Sequence, residues 1–152
     1  MGQLVGHAAL FNFLDRNRLG VLSSISADGS PQSALVGIAV TPMLEIVFDT
    51  IQTSRKYANL ITNPSCSLVV GWDGEQTAQL EGRASQPGGE ELLRYQSIYF
   101  SRWPDGLSRR NWPQIAYFVV RPAWIRYSDY GLHPPIIDEF HLDSQGLLTR
   151  IQ

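Results

Sequence analysis

Apolar residues recur at helical spacing along the first stretch of the chain. Leu4, Ala8, Phe11 and Leu14 form one stripe, and Val5, Leu10 and Phe13 widen it. This predicts a helix over residues 4–15, ended by Asn17 and Gly20. From residue 19 the period changes. Residues 19–27 are rich in Val, Leu, Ile and Ser and stop at Asp28-Gly29, a hairpin turn signal. Residues 32–41 read as the returning strand, Pro42-Met43 as the next turn, and residues 44–49 as a third strand. Gly37, in the middle of the second strand, predicts a bulge or another group lying close to the backbone.

A helix follows over residues 53–61, closed by Asn63-Pro64. Residues 65–72 then alternate, with Cys66, Leu68, Val70 and Trp72 on one face. Asp73-Gly74 turns the chain into residues 77–85, the cleanest alternation present. There Ala78, Leu80, Gly82 and Ala84 interleave with Thr77, Gln79, Glu81 and Arg83. Acidic residues open a helix over residues 90–102, with Leu92, Tyr95 and Tyr99 on one face and Leu93 and Phe100 beside them. Residues 103–113 form a long loop with two tryptophans and Arg109-Arg110, suited either to an interface or to folding over its own core. Strands are expected over residues 115–121 and 124–130, and a short segment over 136–140. The chain is therefore mainly β with α additions (α+β). About seven strands joined by tight turns, with about three helices at the crossovers, predict an antiparallel barrel with helical attachments.

Composition narrows the picture. At 152 residues, 43% apolar and 17% charged, the chain is expected to be a single domain with a real core. A net charge of −2, with cations scattered apart from two pairs, gives no footprint for nucleic acid or an anionic membrane. The single cysteine, Cys66, excludes an intrachain disulfide. No basic leader and no bilayer-length apolar run is visible, which predicts a cytoplasmic protein without a membrane segment. His7 is expected to be a partly buried helix residue, and His133 and His141 surface residues; no metal site is expected. No dinucleotide fingerprint, P-loop or nucleophile elbow occurs. The catalytic residues stay unassigned, and the chemistry is expected either to be pure binding or to be carried by a cofactor.

The stretch from Asp49 to Leu60 holds the candidate chemistry. Thr53 or Ser54 can cap a helix whose next residues are Arg55 and Lys56, the only lysine in the chain. A hydroxyl, a guanidinium and an ammonium meet at a helix N-terminus, where unpaired N–H groups favour an anion. A phosphate site and a capped surface helix with two solvated cations are both open on these residues alone.

The order of the elements then carries a resemblance. Val47-Phe48-Asp49-Thr50 leads into Ser54-Arg55-Lys56 and Asn59-Leu60, followed by Asn63-Pro64, residues 67–70 and Glu81-Gly82-Arg83-Ala84. Tyr117-Phe118 and Arg121-Pro122-Ala123-Trp124 also suit it. From about residue 4 to residue 130 the chain resembles the pyridoxamine 5′-phosphate oxidase-like FMN-binding split barrels. The resemblance implies a Greek-key split β-barrel of roughly six to seven strands. It also implies a homodimer with FMN held between the subunits. Arg55 and Lys56, helped by Ser54 and Thr50, would hold the FMN phosphate, and Asp49 sits at the family position before the threonine. The strand through Ala34, Leu35 and Val36 would run along the flavin. Thr77, with Gln79 beside it, would reach the cofactor from the partner subunit, and the segment ending at Ser128 would lie near the same interface.

The resemblance implies an FMN-dependent oxidoreductase acting on a small molecule. Ala34 and Ala39 stand where oxidases of vitamin B6 phosphates carry basic residues, and the motif Arg-Leu-His-Asp-Arg is absent. The expected substrate is therefore not pyridoxamine phosphate. The alternative on the same fold is a non-catalytic protein that binds or senses flavin, deazaflavin or haem.

Overall fold

The computed structural model describes residues 6–151. Helix α1 (His7–Arg16) begins inside the expected stretch; Leu4 and Val5, expected on its stripe, lie outside the described residues. Its Leu10, Phe13 and Leu14 are buried and Phe11 is half-buried, but Ala8, expected on the same stripe, is exposed, because the first turn of the helix stands off the core. His7 is exposed rather than partly buried, because it starts the helix, and its Nε2 lies 2.6 Å from the Pro42 carbonyl oxygen.

One curled antiparallel sheet forms the body of the fold. Its strands are β1 (Leu19–Ile25), β2 (Pro31–Gly37), β3 (Ala39–Val40), β4 (Ile46–Ile51), β5 (Ser65–Val70), β6 (Gln76–Ser85), β7 (Ile115–Asp129), β8 (Ile136–Leu142) and β9 (Leu148–Arg150). The order across the sheet is β2-β1-β5-β6-β7-β4-β3, with β8 on β7 and β9 on β8. β2 and β3 are consecutive in the chain yet lie at opposite ends of this path, so the sheet must curl into a split half-barrel.

Several expected elements are redrawn. The single strand expected over residues 32–41 divides at Ile38, where the chain leaves β1 and joins β4 through Ala39↔Val47. The two strands expected around Pro122 are one, β7, of 15 residues. Pro122 is tolerated because the pairing with β6 shifts there: Glu81 faces Trp124 while Gly82 faces Pro122, leaving Ala123 as the extra residue of a bulge. Gly82 is required at this point, since a Cβ would stand 2.3 Å from the Arg121 carbonyl oxygen. β7 pairs with β6 on one edge, and with β4 and then β8 on the other. Trp72 does not share the buried face of β5. The strand ends at Val70, and Gly71, at φ 76, turns the indole outward.

Two apolar layers hold the sheet. Inside the curl, Leu22, Phe48, Leu68, Leu80, Phe118 and Ile125 belong to the main core, and Phe48 and Phe118 stack with centroids 5.5 Å apart. Outside it, helix α3 (Gly89–Arg102) buries Tyr95 and Tyr99 against Ala39, Val47, Tyr117 and Val119. Residues of β4 therefore alternate between layers: Ile46 and Phe48 face the core, and Val47 faces α3. Helix α2 (Arg55–Thr62) is anchored by Leu60 and by Tyr57, whose ring meets Phe118 edge-on at 5.9 Å. Such a ring pair adds about 0.5–1.5 kcal/mol beyond area burial. No helix among the described residues is long and apolar enough to cross a membrane.

Candidate functional site

The end of β4 and the start of α2 bring four of the expected residues together. Ser54 is the N-cap: its Oγ accepts from the Tyr57 N–H at 3.2 Å, and it lies 2.9 Å from Thr50 Oγ1. Ser54, not Thr53, does this because its extended backbone (φ −76, ψ 154) aims the hydroxyl at the third helical N–H. Arg55 and Lys56 occupy the first two helical positions, where backbone N–H groups have no intrahelical acceptor. Arg55 uses its Nε on Gln32 Oε1 at 3.1 Å. Its two terminal nitrogens and the Lys56 ammonium make no ion pair with any carboxylate among the described residues. The result is a cluster of donors with no acid to neutralise it.

Gln32 and Asn59, neither of them among the expected cofactor-binding residues, tie this cluster to the edge of the sheet. Asn59 Nδ2 donates to Gln32 Oε1 at 2.9 Å and to Ser24 Oγ at 3.0 Å, so β1, β2 and α2 share one polar joint. The available signal was two polar residues, Gln32 and Ser24, on faces that otherwise turn inward. β2 is the terminal strand of the sheet. Ile38 N–H bonds Arg18 O and Ser26 N–H bonds Ser30 O, both at 2.9 Å. The even-numbered residues of β2 are thereby the ones hydrogen-bonded to β1, and the backbone groups of Ser33, Leu35 and Gly37 point to the free edge. Of the expected strand residues, Val36 packs in the core, Ala34 is half-buried and Leu35 projects outward with 60% of its surface exposed.

The other expected residues stand apart from this cluster within the chain. Asp49 faces away from Thr50, toward α3. Tyr99 Oη donates to it at 2.9 Å, and Arg109 pairs with it at 3.1 Å and with Asp105 at the same distance. Burial, reinforced by the Asp49 carboxylate, raises the Tyr99 hydroxyl above its ordinary value. The loop after α3 thus folds back on its own core. Trp103 also lies there, donating from Nε1 to Ile38 O at 2.9 Å, whereas Trp112 is exposed. Gly37 is where the indole fits, since a Cβ would come within 2.8 Å of the ring, so the close approach expected at this glycine is made by Trp103. Thr77 pairs with Ser128 across β6 and β7, and Gln79 pairs with Arg126. β1 and β5 separate them from β2, a span of roughly 14 Å at ordinary strand spacing. His133 and His141 are exposed, as expected.

Comparison with known proteins agrees with this architecture. The family model described as pyridoxamine 5′-phosphate oxidase matches residues 7–129. A pyridoxine/pyridoxamine 5′-phosphate oxidase of Bordetella petrii is 32% identical over 122 residues, 75% of this chain. The chain spans 56% of that relative's length. Among solved structures, a haem-binding protein of Mycobacterium smegmatis superposes with a TM-score of 0.79 at 17% identity, over 92% of this chain and 60% of the other. A pyridoxamine 5′-phosphate oxidase-related, FMN-binding protein of Nostoc punctiforme does so at 0.74 and 13% identity, over 100% of both chains. At these identities the two structures share the fold. By the family match over most of its length and the identity to a relative, the chain belongs to the pyridoxamine 5′-phosphate oxidase family.

Proposed function

We propose that this chain binds FMN as a cytoplasmic homodimer and acts as an FMN-dependent oxidoreductase on a small molecule. The observation that carries the reading is the unneutralised donor cluster of Thr50, Ser54, Arg55 and Lys56 beside the free edge of β2. An ionised phosphate offers only acceptors, so it matches a site made of hydroxyls, cations and helix N–H groups. A flavin ring carries both donors and acceptors along its pyrimidine edge, which suits the outward N–H and C=O groups of Ser33, Leu35 and Gly37. The bound flavin would supply the electron chemistry. The chain's residues hold its phosphate, fix its plane along β2 and shield one side of it from water.

Thr77, Gln79 and Ser128 reach the cofactor only from a second subunit in this reading. The exposed Leu35 and Val69, which meet Val21 in one row across β2, β1 and β5, offer the apolar part of that interface. Substrates other than pyridoxamine phosphate are favoured by Ala34 and Ala39, which leave β2 and β3 without a cation for a substrate phosphate.

The test is the absorbance spectrum of the purified protein, followed by titration of FMN fluorescence and measurement of mass in solution. Flavin bands, quenching that saturates at one FMN per chain and a dimer are expected. A colourless protein that leaves FMN emission untouched would sink the proposal. A haem spectrum or preferential deazaflavin binding would replace it with the binding or sensing alternative.

A further inference from the structure

A cavity sharing no residue with the α2 cluster or β2 opens where β6 and β7 pass their bulge. It measures about 440 Å³, within the range of small-molecule sites. Pro64, Ala84, Pro122 and Leu142 give it apolar walls, and the turn between β8 and β9 closes one side. The frame is rigid. Ala123, the bulge residue, sits in its lining, and bulges of this kind re-aim strands beside binding sites. In its lining, the buried Glu45 is satisfied by Thr41, Tyr95 and Arg121, and Arg121 spends its remaining nitrogens on Ser85 and Tyr95.

That network neutralises Arg121, which leaves two charged groups in the lining. The Asp143 carboxylate accepts the backbone N–H groups of Gln145 at 2.9 Å and Leu147 at 2.8 Å, holding its own turn. Arg83 has no carboxylate partner among the described residues. Among the described residues its one side-chain hydrogen bond is a long one, 3.4 Å, to Ser65 Oγ. Asp143 keeps its charge but, with Oδ1 taken by its own turn, offers one oxygen, whereas the Arg83 guanidinium can grip a carboxylate with two N–H groups. The pocket therefore selects an apolar body carrying one carboxylate. We propose that this cavity binds a small organic acid, its carboxylate on Arg83 and its apolar part between Pro64 and Pro122.

The probes are phenylbutyrate, phenylbutanol and phenylbutylamine, titrated into the full-length protein and followed by amide NMR. Phenylbutyrate is expected to bind saturably and about tenfold more tightly than the alcohol or the amine. Arg83→Gln should remove that preference by weakening the acid alone. Ala123→Trp, at an exposed bulge position, should weaken all three. Saturating FMN should leave the acid's affinity unchanged, which keeps this test separate from the flavin assignment. Absence of saturable binding, equal binding of alcohol or amine, an undiminished preference in Arg83→Gln, or displacement by FMN would each overturn the proposal.

Discussion

Thr50 Oγ1 lies 2.9 Å from Ser54 Oγ, so the end of β4 and the cap of α2 are joined by one hydrogen bond. The same Ser54 oxygen also receives the Tyr57 N–H. A structural cap and a candidate phosphate ligand are thus one atom, and the two roles separate by substitution.

Ser54→Ala should cost about 1 kcal/mol, the usual loss for an N-cap, and should weaken FMN binding as well. Ser54→Asp keeps a capping oxygen and should hold stability within about 0.5 kcal/mol. Its carboxylate repels phosphate, so FMN affinity should fall more than about tenfold. Urea unfolding and FMN fluorescence titration read the two effects independently.

Arg55→Ala with Lys56→Ala removes the cations while leaving the cap. Charge-assisted hydrogen bonds contribute about 1.5–3 kcal/mol each, so FMN affinity should drop at least about 100-fold. Alanine suits the first helical turn, and stability should change by less than about 1 kcal/mol. A double mutant that unfolds would show the pair to be structural.

Asp49→Asn should act on stability and leave FMN affinity within about twofold, because its carboxylate faces Arg109 and Tyr99 rather than the α2 cluster. Leaving Arg109 without its partly buried partner should cost about 2–3 kcal/mol. Thermal unfolding with and without FMN checks both halves.

Alkali should destabilise the fold from a defined point. Burial pushes the Cys66 thiol from 9.0 up to about 11. Burial likewise raises the hydroxyls of Tyr95, Tyr99, Tyr117 and Tyr127. A raised value favours the neutral form in the folded state. The Cys66 contribution is therefore complete below about pH 9 and is lost as pH rises toward about 11. The tyrosines add losses above about pH 10. Urea midpoints measured across this range should fall, and Cys66→Ala should flatten the part between pH 9 and 11.

Gly37→Ala should displace the Trp103 indole, which a Cβ would meet at 2.8 Å, and cost about 1–3 kcal/mol. Combined with Trp103→Leu the loss should be less than additive, since the clash has gone. Additive losses in the cycle would mean that the two sites are independent.

Period and turn chemistry made most of the sheet legible. Ala78, Leu80 and Ala84 were readable as core because a strand's two-residue period admits no other common face. The Ser54-Arg55-Lys56 helix start was readable because capping is local. What escaped the sequence depends on partners far along the chain. Gln32 joins Arg55 and Asn59 across 23 and 27 residues, and Arg109 finds Asp49 across 60. The long β7 was hidden by Pro122, which only the bulge opposite Gly82 makes acceptable.

The seat of Trp103 on Gly37 gives the molecule its own optical gauge. One indole touches the end of the strand along which a flat chromophore would lie, and its N–H is bound to the Ile38 carbonyl oxygen. An acceptor chromophore placed on that edge would drain the emission of this tryptophan at contact range, while Trp72 and Trp112 stand in solvent and Trp124 lies on β7. Occupancy of the strand can therefore be timed by the difference in ultraviolet emission between the unaltered chain and Trp103→Phe, which subtracts the emission of Trp72, Trp112 and Trp124.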